Sequence, residues 1–199
     1  MQEGDSSRSF PPAADTLSTN PMEFPFPVRK ESDEVLYVES DFVSLGRHDL
    51  KQLTRLALAN PRQRARLCTH LASSDSLHEM LIVHGKAAYV RPHRHLNRCE
   101  GLSVLEGSAD MIIFSDLGEI KEVIAMDSES FYQRFNAPLY HMLLIRSESL
   151  AFYEATSGPF NRADTDFAPW SPPESDPGAV SLYLEKIEDQ ITTWRERRK

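Results

Sequence analysis

Two histidines and a glutamate stand close together near the middle of the chain. His93 and His95 are separated by one residue, and Glu100 follows after four more. Residues two apart in a β-strand point to the same face, so the two imidazoles would project into one space. A short bend could bring the carboxylate of Glu100 to the same point on the next strand. Two imidazoles and a carboxylate that converge in this way indicate a site for a divalent transition metal.

The spacing of these residues resembles the first motif of the cupin superfamily, His-x-His-x4-Glu-x6-Gly, with Gly107 in its last position. The resemblance implies a small double-sheet barrel, or jelly roll, with a metal at its centre. The implied fold class is mainly β: a single cupin domain with an N-terminal helix and a C-terminal helix.

Further segments narrow the resemblance to the WbuC family of cupin-fold metalloproteins, over about residues 40–175. These segments are Pro61-Arg62-Gln63-Arg64-Ala65-Arg66, Cys68, His70, Tyr89-Val90-Arg91-Pro92-His93-Arg94-His95, Gly158-Pro159-Phe160 and Ala168-Pro169-Trp170. Members of that family tend to be encoded among bacterial surface-polysaccharide genes. The resemblance therefore implies surface-polysaccharide sugar metabolism of the O-antigen type, without a settled reaction.

The cupin resemblance also implies a fourth metal ligand on a later strand. His141 is the only histidine after Glu100, and it follows Pro138. The usual second motif, Pro-x-Gly-x-x-His with a later Asn, is incomplete here, because the Gly and the Asn are missing. An unpaired imidazole in an apolar strand would be costly, which favours His141 as a ligand. The alternative for each of the four residues is a structural role, such as a histidine satisfied by a backbone carbonyl.

Three imidazoles and one carboxylate would leave open positions on a five- or six-coordinate ion. This ligand set suits one divalent transition metal: Fe, Mn, Ni, Co or Zn. A closed structural zinc site would more often use thiolates. Cys99 is adjacent to Glu100, so strand alternation points it away from the metal, and we expect both cysteines to be ordinary thiols.

Strand alternation also predicts which residues surround the metal. Tyr89 and Arg91 share the face of the two histidines. An arginine beside a cation is electrostatically costly unless an anion joins them, so Arg91 could hold a carboxylate or phosphate of a ligand. The alternative is an internal salt bridge, for example with Glu79 or Glu106.

A second basic strand precedes the histidine motif. Arg64, Arg66, Cys68 and His70 alternate onto one polar face. The arginines could extend an anion site at the barrel mouth, or they could form a solvated, ion-paired face. His70 and His78 are further candidates for lining a ligand pocket.

The remaining pattern divides the chain into a tail, a barrel and a terminal helix. Residues 1–30 are rich in Ser and Pro and predict a flexible tail, although Phe24, Phe26 and Val28 could lie along the barrel. A helix is expected over residues 49–60, and strands follow it within a cupin domain at residues 31–178. Residues 179–199 predict an amphipathic helix, whose apolar stripe either docks on the barrel or forms an intermolecular zipper in a homodimer.

Bulk composition limits the classes of partner. The 199 residues carry 22 basic and 30 acidic side chains, for a net charge of −8. Such a surface should repel nucleic acid and anionic membranes, which leaves a small molecule as the expected partner. The two cysteines, the absence of a signal-peptide pattern and the absence of a long apolar run favour a cytoplasmic protein.

Two functional hypotheses follow, and the residues alone leave both open. One is a metal-dependent enzyme acting on a small, polar, anionic metabolite, for which no catalytic base can be named. The other is a non-catalytic module that binds a small molecule through its metal, as a sensor or regulator would. A structural metal with an interaction surface is a third reading.

Overall fold

The computed structural model of the protein describes residues 24–198, which form twelve strands, two α-helices and a short 3₁₀-helix at Arg162–Asp164. The strands are β1 (Val28–Lys30), β2 (Val35–Val38), β3 (Arg64–Cys68), β4 (Leu77–Gly85), β5 (His93–His95), β6 (Glu100–Glu106), β7 (Ala109–Phe114), β8 (Ile120–Met126), β9 (Tyr132–Phe135), β10 (Tyr140–Ile145), β11 (Ser149–Ser157) and β12 (Thr165–Phe167). The helices are α1 (Arg47–Ala59) and α2 (Pro177–Glu196). No helix among the described residues is long and apolar enough to cross a membrane.

The strands form two facing sheets. One has seven strands in the order β1-β2-β3-β4-β11-β6-β9, and the other has five in the order β12-β5-β10-β7-β8. Within them, β4-β11-β6-β9 faces β5-β10-β7-β8, which is the strand order of a jelly roll built from two Greek keys. The predicted fold class, a mainly β jelly roll of the cupin type with two flanking helices, is confirmed.

Helix α1 covers the outer face of the larger sheet. Its amino end is fixed by the N–H of Gly46, which donates to the Asp49 carboxylate at 2.8 Å. Its apolar face, including the fully buried Leu53, packs on Ala65, Leu67 and other residues that alternate outward from β3 and β4. The opposite residues of β3 are left to face the space between the sheets, as the alternation predicts.

Helix α2 covers the outer face of the smaller sheet. Ile187 and Ile191 are buried there in a cluster with residues of β7, β8 and β10. The helix is also tied by charge, because the buried carboxylate of Asp110 accepts from Arg146 and from Arg195 of α2, the latter at 2.7 Å. Of the two predicted roles for the apolar stripe, docking on the barrel is the one observed.

Two other expectations concern the N-terminal segment and the connection between β4 and β5. Phe24, Phe26 and Val28 pack against the α1 cluster, and β1 pairs with β2. Residues 1–23 of the predicted tail lie outside the described residues, and the division at residues 30 and 178 stays a prediction. The strand alternation that was applied to Tyr89 and Arg91 requires an extended strand before His93, and this expectation is wrong: a turn follows Gly85, and β5 begins only at His93.

The docking of α2 can be tested within the helix itself. Ile187→Ala should lower the free energy of unfolding by about 2–5 kcal/mol, because it leaves a cavity in a buried cluster. Leu182→Ala is the matched control, since Leu182 is 69% exposed on the same helix and should change stability by no more than about 0.5 kcal/mol. Urea unfolding of both variants measures this, and equal losses would contradict the docking.

Candidate metal centre

Three imidazoles converge between the two sheets. His93 and His95 lie on β5, and His141 on β10 is the direct cross-strand partner of His93. One ring nitrogen from each of the three lies within 4.8 Å of the others. The one-residue spacing on β5 and the register between β5 and β10 therefore produce a three-histidine group of the size that a metal ion requires.

The hydrogen bonds of His93 and His141 determine which ring nitrogen is free. In each residue Nδ1 lies 2.9 Å from a backbone carbonyl two residues earlier, that of Arg91 and that of Leu139. A neutral ring that donates from Nδ1 keeps its lone pair on Nε2. The backbone-carbonyl alternative is thus met at one nitrogen of each ring, and the other nitrogen faces the cluster.

Glu100 lies against this group at the start of β6. Its Oε2 is 3.3 Å from Nε2 of His95 and 3.6 Å from Nε2 of His141. The residue is buried, yet Oε2 has no partner with hydrogen-bond geometry among the described residues. A buried carboxylate oxygen in this position calls for a cation or a proton donor beside it. The donor set of three imidazole nitrogens and one carboxylate oxygen fits a divalent transition metal.

Burial sets the protonation of these groups. Burial lowers the pKa of His93 to about 3 and also lowers the pKa of His141. Both rings are therefore neutral near pH 7, which is the form that binds metals. Burial alone would raise the pKa of Glu100, but the neighbouring imidazoles of His95, His141 and His93 outweigh it and lower this pKa to about 2.

One aromatic contact and one polar contact, neither of which the sequence revealed, hold the group in place. The ring of Phe135, on β9, stacks on His141 with centroids 4.2 Å apart. The hydroxyl of Thr165, on β12, lies 3.5 Å from Nδ1 of His95. These partners come from strands distant in sequence, so no local spacing marked them.

The group opens into a cavity of about 780 Å³ between the sheets. Its wall includes both the candidate metal ligands and four of the six predicted ligand-binding residues. The residues that line it and were predicted from the sequence are His93, His95, Glu100, His141, Arg64, Arg66, His70 and His78. This volume is within the range of small-molecule sites.

The other two predicted ligand residues have different surroundings. Tyr89 is buried in the α2 cluster, and its hydroxyl donates to the carbonyl of Pro172 at 3.0 Å. Arg91 donates to Ser171 Oγ at 3.0 Å and to the carbonyl of Ala168 at 2.8 Å. Neither is among the described residues that line the cavity. The prediction from strand alternation is wrong for these two residues because residues 87–92 do not form a strand.

The cavity wall contains an ion-paired arginine on β3 and two stacked histidines, His70 just after β3 and His78 on β4. Arg64 donates to the Glu174 carboxylate at 3.0 Å and lies 3.5 Å from Glu34. His70 and His78 stack face to face, with ring centroids 4.1 Å apart and planes 9° from parallel. Arg64 therefore has internal partners, as one of its two predicted roles requires.

Glu154 and Arg98 are among the charged residues of the cavity wall that were not predicted from the sequence. Glu154, on β11, lies beside Glu100, and its pKa is raised well above the usual value by burial and by that neighbour. Glu154 shares an inward face with Leu150 and Phe152. A charged residue at an inward position of an otherwise apolar strand was therefore the sequence signal that could have identified it. Arg98 lines the cavity from the loop between β5 and β6, where no periodicity marked it.

Comparison with known proteins adds a family match of limited extent. A family described as a domain of unknown function, DUF6016, matches residues 45–126, which is less than half of the chain. No curated protein matches the sequence.

Several solved structures match part of the chain. A sugar phosphate isomerase from the cupin superfamily of Silicibacter pomeroyi matches at 19% identity and a TM-score of 0.39, over 48% of this chain and 59% of that one. Bacillus subtilis oxalate decarboxylase matches at 18% identity and 0.41, over 52% of this chain and 27% of the enzyme. Procruciferin, an 11S globulin from Brassica napus, matches at 16% and 0.37, over 46% and 22%.

Each matched region is less than two thirds of the structure that it resembles. The fold assignment therefore depends on the strand order of the protein itself, and the three-histidine group depends on its own geometry.

The two cysteines should differ strongly in reactivity. Cys68 is buried in the cavity wall, where burial raises the pKa of its thiol to about 11, whereas Cys99 is exposed. At pH 8 a pKa of about 11 in place of 9.0 leaves roughly a hundredfold less thiolate, so Cys68 should react with iodoacetamide at least about a hundredfold more slowly than in the unfolded chain.

Mass spectrometry of the labelled peptides measures both rates. Cys99→Ser should abolish the fast reaction, and Cys68→Ser should leave it unchanged. Similar rates at both cysteines of the native protein would contradict the burial of Cys68.

Proposed function

We propose that the protein is a metal-binding jelly roll of the cupin type that binds a small, polar, anionic metabolite beside its metal and acts on it. The observation that carries this proposal is the convergence of three imidazoles beside the buried Oε2 of Glu100, which has no hydrogen-bonding partner among the described residues. A purely structural cluster would satisfy that oxygen within the protein. The large cavity beside the group gives a ligand access to it.

In this proposal His93, His95, His141 and Glu100 hold the metal. A bound transition metal supplies Lewis acidity and open coordination positions for a ligand oxygen. The chain itself supplies orientation, because the carbonyls of Arg91 and Leu139 fix the rings of His93 and His141, and Phe135 covers one face of His141. Apolar residues from the inner faces of the sheets pack behind the group.

The nitrogen-rich ligand set keeps Fe, Mn, Ni, Co and Zn as the candidate ions. We place the protein in the WbuC family on the sequence segments quoted above, and this placement supports a role in surface-polysaccharide sugar metabolism. The two unpaired cysteines agree with a reducing, cytoplasmic setting. The net charge of −8 favours a small-molecule partner over nucleic acid or an anionic membrane.

The metal itself is the first test. Protein purified without chelators should contain about one first-row transition metal per chain, because the three imidazoles lie together beside the Glu100 carboxylate and burial lowers the pKa values of His93 and His141. Elemental analysis measures this content. If the protein is purified without metal and also fails to take up any of the five ions, the metal site is refuted.

The ligand set is tested by single substitutions. His141→Ala should weaken metal binding by at least about 10- to 100-fold, the loss typical of even indirect metal partners, while the barrel still folds. His70→Ala and His78→Ala are matched controls, since both line the same cavity outside the three-histidine group.

Metal titration with a competing chelator gives the affinities of all variants. If a control variant loses the metal and His141→Ala does not, the fourth ligand comes from the earlier strands. Mass spectrometry of a co-purified small molecule then separates the two functions, since an enzyme converts that molecule and a sensor returns it unchanged.

A further inference from the structure

Strand β5, which carries two of the three imidazoles, is paired with the inner strand β10 at a single position. It is three residues long, and its registered pair with β10 is that of His93 with His141. With β12 it pairs along its whole length, from His95 opposite Thr165 to His93 opposite Phe167. Because β12 is itself a three-residue strand at the edge of the sheet, the positions of both imidazoles of β5 depend on how β12 is held.

Three side chains on the outer face of the smaller sheet join these strands. Arg94 lies between the two histidines of β5, and Asp166 is opposite it on β12. Tyr140 directly precedes the histidine of β10. Because successive residues of a strand point to opposite faces, all three side chains lie behind the imidazoles.

A single acceptor connects the three strands. Oδ2 of Asp166 accepts from Nε of Arg94 at 2.9 Å and from the hydroxyl of Tyr140 at 2.8 Å. The guanidinium carbon of Arg94 also lies 4.3 Å from the ring centroid of Tyr140, which is buried beneath α2. Asp166, Arg94 and Tyr140 therefore form one group, the Asp166 cluster, with a member on each of β12, β5 and β10.

The exposure of Asp166 indicates what this cluster contributes. Its side chain is 35% exposed, and an ion pair at such a position adds little to the stability of the whole fold. A carboxylate oxygen shared by a guanidinium and a hydroxyl nevertheless fixes the relative positions of the strands that carry them, because charge-assisted hydrogen bonds are short and directional.

The inner side of the same strands shows what the cluster positions. Nδ1 of His93 and Nδ1 of His141 each lie 2.9 Å from a backbone carbonyl, whereas the neighbour of His95 Nδ1 is the hydroxyl of Thr165, at 3.5 Å. Thr165 is on β12, next to Asp166. The orientation of the His95 ring thus depends on a side chain whose position follows that of β12.

We propose that Asp166 is a positioning residue for the metal site: by bridging Arg94 and Tyr140 it holds β12, β5 and β10 in the register at which the three imidazoles converge. Within residues 24–198 its side-chain hydrogen bonds go to those two residues and not to a candidate ligand. Ligands must be held within about 0.5 Å of the productive geometry, so a small shift of one edge strand is enough to weaken binding. The proposal rests on the metal site of the proposed function and adds a residue outside that site.

Co²⁺ is the probe, because it is one of the candidate ions and its visible absorption responds to ligand geometry. Its affinity for the full chain is measured by competition with a chelator. Asp166→Ala should weaken Co²⁺ binding by about tenfold, the lower end of the loss typical of indirect metal partners, and should change the visible spectrum of the bound ion. Asp166→Asn keeps an oxygen that can accept both hydrogen bonds without the charge, so it should weaken binding by only about threefold.

Asp116→Ala is the matched control. Asp116 pairs with the same guanidinium at 2.9 Å, but from the turn between β7 and β8, where it is 81% exposed. Its substitution should leave the Co²⁺ affinity and spectrum unchanged, because it touches neither β12 nor β10.

A double variant separates positioning from general destabilisation. Tyr140→Phe removes one donor of the cluster but keeps the ring, and it should weaken Co²⁺ binding by about threefold. Combined with Asp166→Ala it should add nothing, because both substitutions remove the same hydrogen bond, whereas general destabilisation would make the two losses multiply. Tyr140→Phe and Asp166→Asn also decide the question if Asp166→Ala does not fold, as judged by circular dichroism.

Hydrogen exchange gives a measurement that needs no metal. The N–H of Leu96 donates to the carbonyl of Asp164, and that of Ala168 donates to the carbonyl of Pro92, each at 2.9 Å. These bonds flank the pairing of β5 with β12. In the metal-free protein, exchange at both amides should be about tenfold faster in Asp166→Ala than in the parent, and unchanged in the control variant.

Four outcomes would overturn the role of Asp166: parental Co²⁺ affinity in Asp166→Ala, an equal loss in Asp116→Ala, losses that multiply in the double variant, or unchanged hydrogen exchange. The failures of the two proposals are distinguishable. A parent that takes up none of the candidate ions refutes the metal site, and hydrogen exchange then decides whether Asp166 holds β12. Normal metal binding by both the parent and Asp166→Ala refutes the role of Asp166 alone.

Discussion

The packing of a carboxylate among imidazoles in an apolar barrel is the constraint on which the centre of this structure depends. Glu100 is buried, and its carboxylate lies 3.3 Å and 3.6 Å from ring nitrogens of His95 and His141. A buried charge without such neighbours would cost several kcal/mol, which is comparable to the net free energy of unfolding of a typical domain. The strands that carry these residues, β5, β6 and β10, must therefore meet in one register.

That register is supplied by ordinary packing on both sides of the barrel. The inner faces of the two sheets form an apolar cluster behind the site, and each outer face is covered by a helix. The layers follow the order helix, sheet, sheet, helix. Each sheet therefore packs against a helix on its outer face and against the other sheet on its inner face. Rigid strands are better supports for a metal site than loops, because their side-chain directions are set by the pleat.

Charge is distributed unevenly along the wall of the cavity. On one side Arg62 and Arg64 share the carboxylates of Glu34 and Glu174, and this network ties β3 to the chain that precedes α2. Near the imidazoles, burial and the neighbouring Glu100 raise the pKa of Glu154.

The sequence by itself determined the local features. Alternation on β3 placed Arg64 and Arg66 on one face, and the His93–His95 spacing placed two imidazoles together, because a strand repeats every two residues. Tertiary structure decided the partners across strands: the pairing of His141 with His93, the stacking of Phe135, and the positions of Arg98 and Glu154. It also placed the Arg91 side chain against Ser171 and Ala168 and not in the cavity wall. Such contacts depend on register and loop path, which residues far apart in the chain fix together and no local period encodes.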